Sequence, residues 1–566
     1  MTPRFGFVGC RSMNKMNKLP KLPIGIQTFE EIRNENYLYV DKTKYLIDLI
    51  DAGKTYFLSR PRRFGKSLTV STFDALFSGK RELFHGLYAE EFFQRPDYAI
   101  HPVVKLDMSR LAVKQGIDGI FPSITRQLKR NAERHGVELS EGLPHDVFGE
   151  LLVSIAKKKG AAVVLVDEYD KPILDLLDRP DESEKVRDIL RDFYTQIKSE
   201  DESLRFVFMT GISKFSKMGV FSAMNNLKDI SMKGEYATML GYTEDEMSRY
   251  FKDYIEKTAV TMRKSQEEVV VQMRDYYDGF SFDGKTRLYN PFSTLNFFDD
   301  AMFKNYWFET GTPSFLAKYM KDRCLTVEQF RGIEASLNFA SAPGEIEDAT
   351  AASFLYQSGY LSLRPGRVLE YSLDYPNREV LVSMSSLLTA NILGDRGAAD
   401  ASVSALRNAL EKGDASGIVR EFNRLLAKIP YDDYTASNKE NFDIRYPGTN
   451  FGEWLYRSTL LSYLYGAELR VEAELHGHRG RADMVVECGG RVWVMELKVA
   501  KKGEDAGKLA EAALSQILEM GYAAPFENAE SLGLAIDHER RRITEFRHER
   551  QGRRQGEGFA RGNLVT

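Results

Sequence analysis

Cysteine is nearly missing: the 566 residues hold three, Cys10, Cys324 and Cys488, with no CxxC pair. That excludes a disulfide framework and a cysteine zinc site, and it fits a reducing cytoplasm. No apolar run approaches the roughly 20 residues that cross a bilayer, so no membrane is expected as a partner. Arg4, Arg11 and Lys15 make the first fifteen residues basic, but no apolar stretch follows. They do not read as a secretory signal, and Met13 or Met16 is an alternative start. An excess of positive charge is also absent. The 78 Lys and Arg against 82 Asp and Glu leave a net charge of -4, without the global footprint of a nucleic-acid binder. There is no internal repeat, and His85, His101, His135 and His145 show no metal-ligand spacing.

What is present is ordinary globular composition, 43% hydrophobic and 28% charged, in a chain too long for one core. Two to four domains are expected. Short apolar runs at Thr55–Leu58, Val103–Leu106, Val163–Val166 and Phe206–Met209 alternate with helical stretches such as Ile120–His135 and Lys185–Ile197. Continuous apolar strands between helices predict a parallel sheet covered on both faces. After Gly241 the pattern turns helical. Thr243 and Glu246 form a capping-box pair that predicts a helix to about Lys257. A second helix is expected over Ser265–Tyr277, then a loop over Asp278–Pro291. Residues 310–430 read as mainly helical, with a strand-like stretch around Gly359–Leu373.

The first chemical motif is Tyr56-Phe-Leu-Ser-Arg-Pro-Arg-Arg-Phe-Gly-Lys-Ser67, a strand, a polar loop and a helix start. Such a loop turns backbone N–H groups toward an anion at a helix N-terminus. Lys66 would reach the β- and γ-phosphates of ATP, and Ser67 would ligate Mg²⁺. Arg60 stands where the strict pattern has glycine, and a basic, solvated helix start is the competing account. Ala161-Ala-Val-Val-Leu-Val-Asp167-Glu168 is a buried-type strand ending in carboxylates. There Asp167 would hold Mg²⁺ through water, and Glu168 would orient or deprotonate the attacking water. Thr210 ends a third strand and would sense the γ-phosphate.

The second motif is Asp483, then Glu487, a Gly489-Gly490 turn, Glu496 and Lys498. Read as a two-residue hairpin, it pairs Cys488 with Arg491 and, counting back, Asp483 with Glu496. Alternation puts Glu496 and Lys498 on one face, away from Trp493, Met495 and Leu497. Opposed carboxylates repel each other unless a divalent cation lies between them. Lys498 would then stabilise charge at a phosphodiester or position a water. A sheet edge carrying gatekeeper charges is the competing account.

Two resemblances add to this. Leu22-Pro-Ile-Gly-Ile-Gln27, Tyr39-Val-Asp-Lys-Thr43, Arg60-Pro-Arg-Arg-Phe-Gly-Lys-Ser67, Asp167-Glu-Tyr-Asp170, Thr210-Gly-Ile-Ser213 and Tyr289-Asn-Pro291 resemble the AAA-ATPase-like proteins of bacteria, over about residues 20–310. The resemblance implies nucleotide contacts from Arg60, Arg62, Arg63, Phe64, Gly65, Lys66, Ser67, Asp167 and Thr210. Trp307–Pro313 looks like that family's segment beyond the lid. Residues 450–548 resemble the PD-(D/E)XK nuclease superfamily. This implies metal ligation by Asp483 and Glu496, a catalytic Lys498, an extra ligand at Glu453 and a secondary motif residue at Gln516.

The expected architecture is α/β. A flexible leader (1–20) precedes a P-loop domain with a parallel sheet (21–235). A helical lid (236–310) and a mainly helical connecting domain (311–435) lead to a restriction-endonuclease-like α/β domain (445–548). A linker is expected at 430–450, and a disordered tail at 549–566. The expected ligands are ATP and Mg²⁺, with DNA or RNA as the partner, and a homo-oligomer or protein partner stays open. From residue 445 onward, 18 Lys and Arg face 18 Asp and Glu, which argues against a basic binding face. Arg540, Arg541, Arg542, Arg547, Arg550, Arg553 and Arg554 either track a backbone or solubilise a tail. His476 and His478 flank Gly477, and exposure in a loop competes with a ligand role. An ATP-regulated nuclease and a nucleotide-gated scaffold that cuts nothing both fit this sequence.

Overall fold

The computed structural model describes residues 19–176, 179–213, 220, 224–309, 326–336, 351–394, 396–429, 451–477 and 480–550. Most of the expected leader, the 430–450 linker, His478 and nearly all of the tail lie outside these residues, as do residues 310–313 of the segment that begins at Trp307.

The N-terminal sheet is built from β1 (Thr55–Ser59), β2 (Val103–Asp107), β3 (Ala162–Asp167), β4 (Leu204–Gly211) and the two-residue β5 (Lys228–Asp229). All pairings are parallel, in the order β2-β3-β4-β1-β5. Helices α1 (Lys66–Phe77), α2 (Ile117–His135), α3 (Pro144–Lys159) and α4 (Pro180–Ser199) cover it. Successive strand residues enter different cores. Tyr56, Leu58, Phe206 and Phe208 join one apolar cluster, while Phe57, Val207 and Met209 join the other. Two buried faces explain why these strands read as unbroken apolar runs.

The segment expected as a lid contains α5 (Glu244–Tyr250), α6 (Lys252–Met262), α7 (Gln266–Tyr277) and α8 (Pro291–Asp300). Thr243 and Glu246 form the capping box read from the sequence, and Ser265 and Glu268 form another. The helix expected to reach Lys257 is instead two helices. The chain turns at Phe251 (φ -111°, ψ 5°), whose fully buried ring stacks on Phe298 in the lid core. Burying that ring offsets the lost helical hydrogen bonds.

In the middle region, β6 (Ile333–Ala335), β7 (Ser362–Pro365) and β8 (Tyr371–Asp374) form a small antiparallel sheet. Helices α9 (Arg378–Leu393), α10 (Arg396–Lys412) and α11 (Ala415–Leu426) follow. The C-terminal unit opens with α12 (Phe451–Gly466). Strands β9 (Arg470–Gly477), β10 (Gly480–Cys488) and β11 (Arg491–Ala500) then form an antiparallel meander. Helix α13 (Ala506–Met520) crosses over to β12 (Ala529–Asp537), parallel to β11, and β13 (Arg542–Arg550) returns antiparallel.

These units share a core. One apolar cluster runs from Phe29 and Leu58 through Trp307, Val380 and Tyr456 to Trp493 and Phe546. No helix among the described residues is long and apolar enough to cross a membrane.

Candidate nucleotide and metal sites

Parallel pairing brings the C-terminal ends of β1, β3 and β4 to one edge. Ser59 lies opposite Gly211, Leu58 opposite Thr210, and Val166 opposite Met209. Open α/β sheets bind ligands beyond that edge. The loop after β1 turns through Arg63 (φ 64°) and Gly65 (φ 94°) and delivers Lys66 as the first residue of α1 and Ser67 as the second. A Cβ on Gly65 would meet nothing, so its backbone conformation, rather than crowding, makes glycine suitable there.

Lys66 is buried, and its Nζ donates to the carbonyls of Arg60 and Pro61, both at 2.9 Å. Burial pulls its pKa below the usual lysine value, against the pull of Glu168, Asp167 and Asp170 in that order. Thr210 Oγ1 donates to Asp167 Oδ1 at 3.3 Å. Glu168 adopts a left-handed conformation (φ 51°), and burial pushes its carboxyl pKa up. Strained backbone of this kind is concentrated at functional sites.

Other loop residues face elsewhere. The Arg60 guanidinium is buried, donates to the carbonyls of Ser59, Ser231 and Tyr236, and lies 3.9 Å over the Phe282 ring. Its side chain therefore ties the loop to the lid side, and only its backbone faces Lys66. Phe64 is buried edge-on against Phe280 (4.9 Å) and Phe282 (5.5 Å), so the aromatic stretch Tyr276–Phe282 packs the lid onto the loop. Arg63 is exposed and stacks on Phe292 at 4.8 Å. Arg62 is half-buried and lowers the pKa of Lys66.

Sequence reasoning gave Asp170 no role. It is fully buried and accepts from Ile212 N, Ser213 N and Ser213 Oγ, and so fixes the chain beyond β4. Burial raises its pKa. The Asp-Glu-Tyr-Asp run gave its position but not its partners.

At the second site the hairpin register is the one read from the sequence. Cys488 pairs with Arg491 and Met484 with Met495, with left-handed Gly489 and Gly490 between the strands. Asp483 and Glu496 are neighbours: Asp483 N donates to Glu496 Oε2 at 3.3 Å, and Leu497 N donates to Asp483 Oδ2 at 2.9 Å. Glu496 Oε1 accepts from Gln516 Nε2 at 2.6 Å and lies 3.4 Å from Lys498 Nζ. Burial, then the adjacent Asp483, pushes the Glu496 carboxyl up to about 7. On α12, burial and then Asp483 raise the pKa of Glu453. The structure thus brings together Asp483, Glu496, Lys498 and Gln516, with Glu453 within electrostatic reach.

Arg457 was not singled out from the sequence. Its Nη1 lies 3.2 Å from Asp483 Oδ1. The readable signal was its spacing, one helical turn after Glu453. Among the described residues no group of three or more His, Cys, Asp or Glu side chains is arranged to hold a metal ion. The donor set at hand is the Asp483–Glu496 pair. Two buried like charges, one with its proton held up to about 7, fit a site that a divalent cation would relieve. The glycine turn, helix N-terminus and buried lysine likewise fit a nucleotide polyphosphate.

Comparison with known proteins identifies two domains in the chain. Residues 23–221 match the family model described as "Predicted AAA-ATPase", and residues 451–546 match that of the PD-(D/E)XK nuclease superfamily. The chain is 35% identical over 537 residues to an uncharacterized protein in the vnfD 5′ region of Azotobacter chroococcum mcd 1, covering 93% of this chain and 98% of that protein. The chain therefore belongs to the AAA-ATPase-like family, with a PD-(D/E)XK nuclease superfamily domain at its C-terminal end.

Proposed function

We propose that this protein binds and hydrolyses ATP with Mg²⁺, and that its nucleotide state regulates a metal-dependent nuclease centre acting on DNA or RNA. At the first site Lys66 turns from the Arg60 and Pro61 carbonyls to the phosphates. The loop N–H groups from Arg62 to Gly65 line the anion. Ser67 would hold Mg²⁺ directly and Asp167 through water, and Thr210 keeps Asp167 oriented. Glu168 is the base, its raised pKa bringing it closer to neutral pH. Bound Mg²⁺ supplies charge neutralisation on the phosphates.

At the second site Asp483 and Glu496 would hold the cation, with Glu453 as an added carboxylate. Such a cation, when bound, would supply water activation and polarisation of a phosphodiester. Lys498 stabilises developing negative charge. Gln516 holds Glu496 in position through its 2.6 Å hydrogen bond. The observation that carries this reading is the buried carboxylate pair with Lys498 and Gln516 on the same carboxylate.

The test is cleavage of supercoiled plasmid and single-stranded RNA with Mg²⁺, with and without ATP. Asp483→Ala should abolish cleavage, and Lys66→Ala should abolish its response to ATP. Cleavage unchanged in Asp483→Ala would sink the assignment. One observation favours a second reading, a nucleotide-gated sensor that cuts nothing: Arg457 already neutralises Asp483. Nucleotide binding with no metal affinity at the hairpin would support it.

A further inference from the structure

Helix α12 presents two opposite charges, Glu453 and Arg457, one turn apart and therefore on one face. Both act on Asp483. Glu453 is driven toward its neutral form by burial and by Asp483. Arg457 makes a largely buried ion pair with it, their side chains 19% and 10% exposed. The other Asp483 oxygen is held by Leu497 N at 2.9 Å. Both oxygens of the candidate ligand are thus engaged from within the protein.

The presenting helix is firmly placed. Ser386 Oγ on α9 donates to Gly466 O at the end of α12 at 3.1 Å. A Cβ on Gly466 would come within 3.1 Å of the Ser385 and Ser386 backbone, so the two helices approach as closely as glycine allows. Val327 N donates to Ser462 Oγ at 3.3 Å on the same helix. A guanidinium on such a support is held on its carboxylate without further ordering, where a long surface side chain would pay rotamer entropy.

We propose that Arg457 is a gating residue that competes with the divalent cation for Asp483. With Arg457 in place, Asp483 is neutralised and the centre is closed to metal. With Arg457 withdrawn, the single charge of Lys498 faces the Asp483–Glu496 pair and the nearby Glu453, and a divalent cation is the species that balances the excess. Guanidinium and cation repel each other when held on one carboxylate in poorly solvated surroundings, so they compete for Asp483. The proposal rests on the reading of Asp483 and Glu496 as a cation site.

The test is Mn²⁺ binding to the full chain without nucleotide, followed by electron paramagnetic resonance, which needs no catalytic turnover. Asp483→Asn, subtracted from the parent, isolates the binding that belongs to this site. Arg457→Gln and Arg457→Met both remove the charge, so one serves if the other melts early. Arg457→Lys keeps charge but loses the planar fork. The proposal expects the two neutral variants to bind Mn²⁺ at least tenfold tighter than the parent, equivalent to about 1.4 kcal/mol. Arg457→Lys should fall between. Affinity equal to or weaker than the parent's in folded Gln or Met variants would overturn the gate while leaving an Asp483-dependent site standing. Absence of Asp483-dependent Mn²⁺ binding in every variant would overturn the cation site itself, and the gate with it.

Discussion

Glu379 gives a sharp test of how the AAA-ATPase-like domain is joined to the rest. Its side chain is fully buried near the start of α9 and accepts from Ser293 Oγ (3.0 and 2.8 Å) and from Trp307 N (2.8 Å). Trp307 in turn donates from Nε1 to the carbonyl of Arg62 in the phosphate loop at 3.0 Å. Glu379→Ala leaves a buried N–H and a buried hydroxyl without this acceptor, at about 1–3 kcal/mol each, and leaves a void. Removing a desolvated carboxylate returns part of that cost. The balance is a loss of about 2–4 kcal/mol. Glu379→Gln keeps the shape and one acceptor oxygen and should cost under about 1.5 kcal/mol. Calorimetry of the full chain measures both. A loss below about 1 kcal/mol in Glu379→Ala, or an equal loss in Glu379→Gln, would refute the reasoning.

Further outcomes follow from the two sites. Glu496 has its pKa raised to about 7, so below that pH a cation must displace its proton. Mn²⁺ affinity should fall about tenfold per pH unit below 7 and level off above it, as titration calorimetry would show. Burial and then Asp483 raise this value while Lys498 lowers it, so Lys498→Met should move the window to higher pH. Glu168→Gln should retain ATP binding while slowing phosphate release about 100-fold or more in a stopped assay. Equal turnover would remove Glu168 as the base. Gly211→Ala places a Cβ 2.5 Å from the Tyr169 ring and 2.6 Å from Asp170 Oδ1. It should weaken nucleotide binding and destabilise the chain by about 1–3 kcal/mol, measured by equilibrium dialysis and melting.

Much of this was legible because the chemistry is local in sequence. The Gly489-Gly490 turn fixes the hairpin register, and register alone places Asp483 beside Glu496. β1 ends in Ser59, β3 in Asp167 and β4 in Thr210-Gly211, so parallel pairing brings these ends to one edge of the sheet. What was not legible depends on distant packing. Arg60 looked like a phosphate ligand because of its place in the loop. Its direction is set by carbonyls of Ser231 and Tyr236, roughly 170 residues along the chain. The break at Phe251 depends on Phe298. Arg457 faces Asp483 only because α12 packs against β9, β10 and β11. The middle helices carry no motif, yet their apolar side chains merge the two ends into one core.

The most direct measurement is anomalous diffraction from crystals of the Arg457→Gln variant soaked with Mn²⁺ and a non-hydrolysable ATP analogue. The account predicts one peak between Asp483 and Glu496 and another beside Ser67 and Asp167 with the analogue's phosphates. A fully occupied nucleotide with no density between Asp483 and Glu496, at Mn²⁺ well above physiological levels, would contradict it.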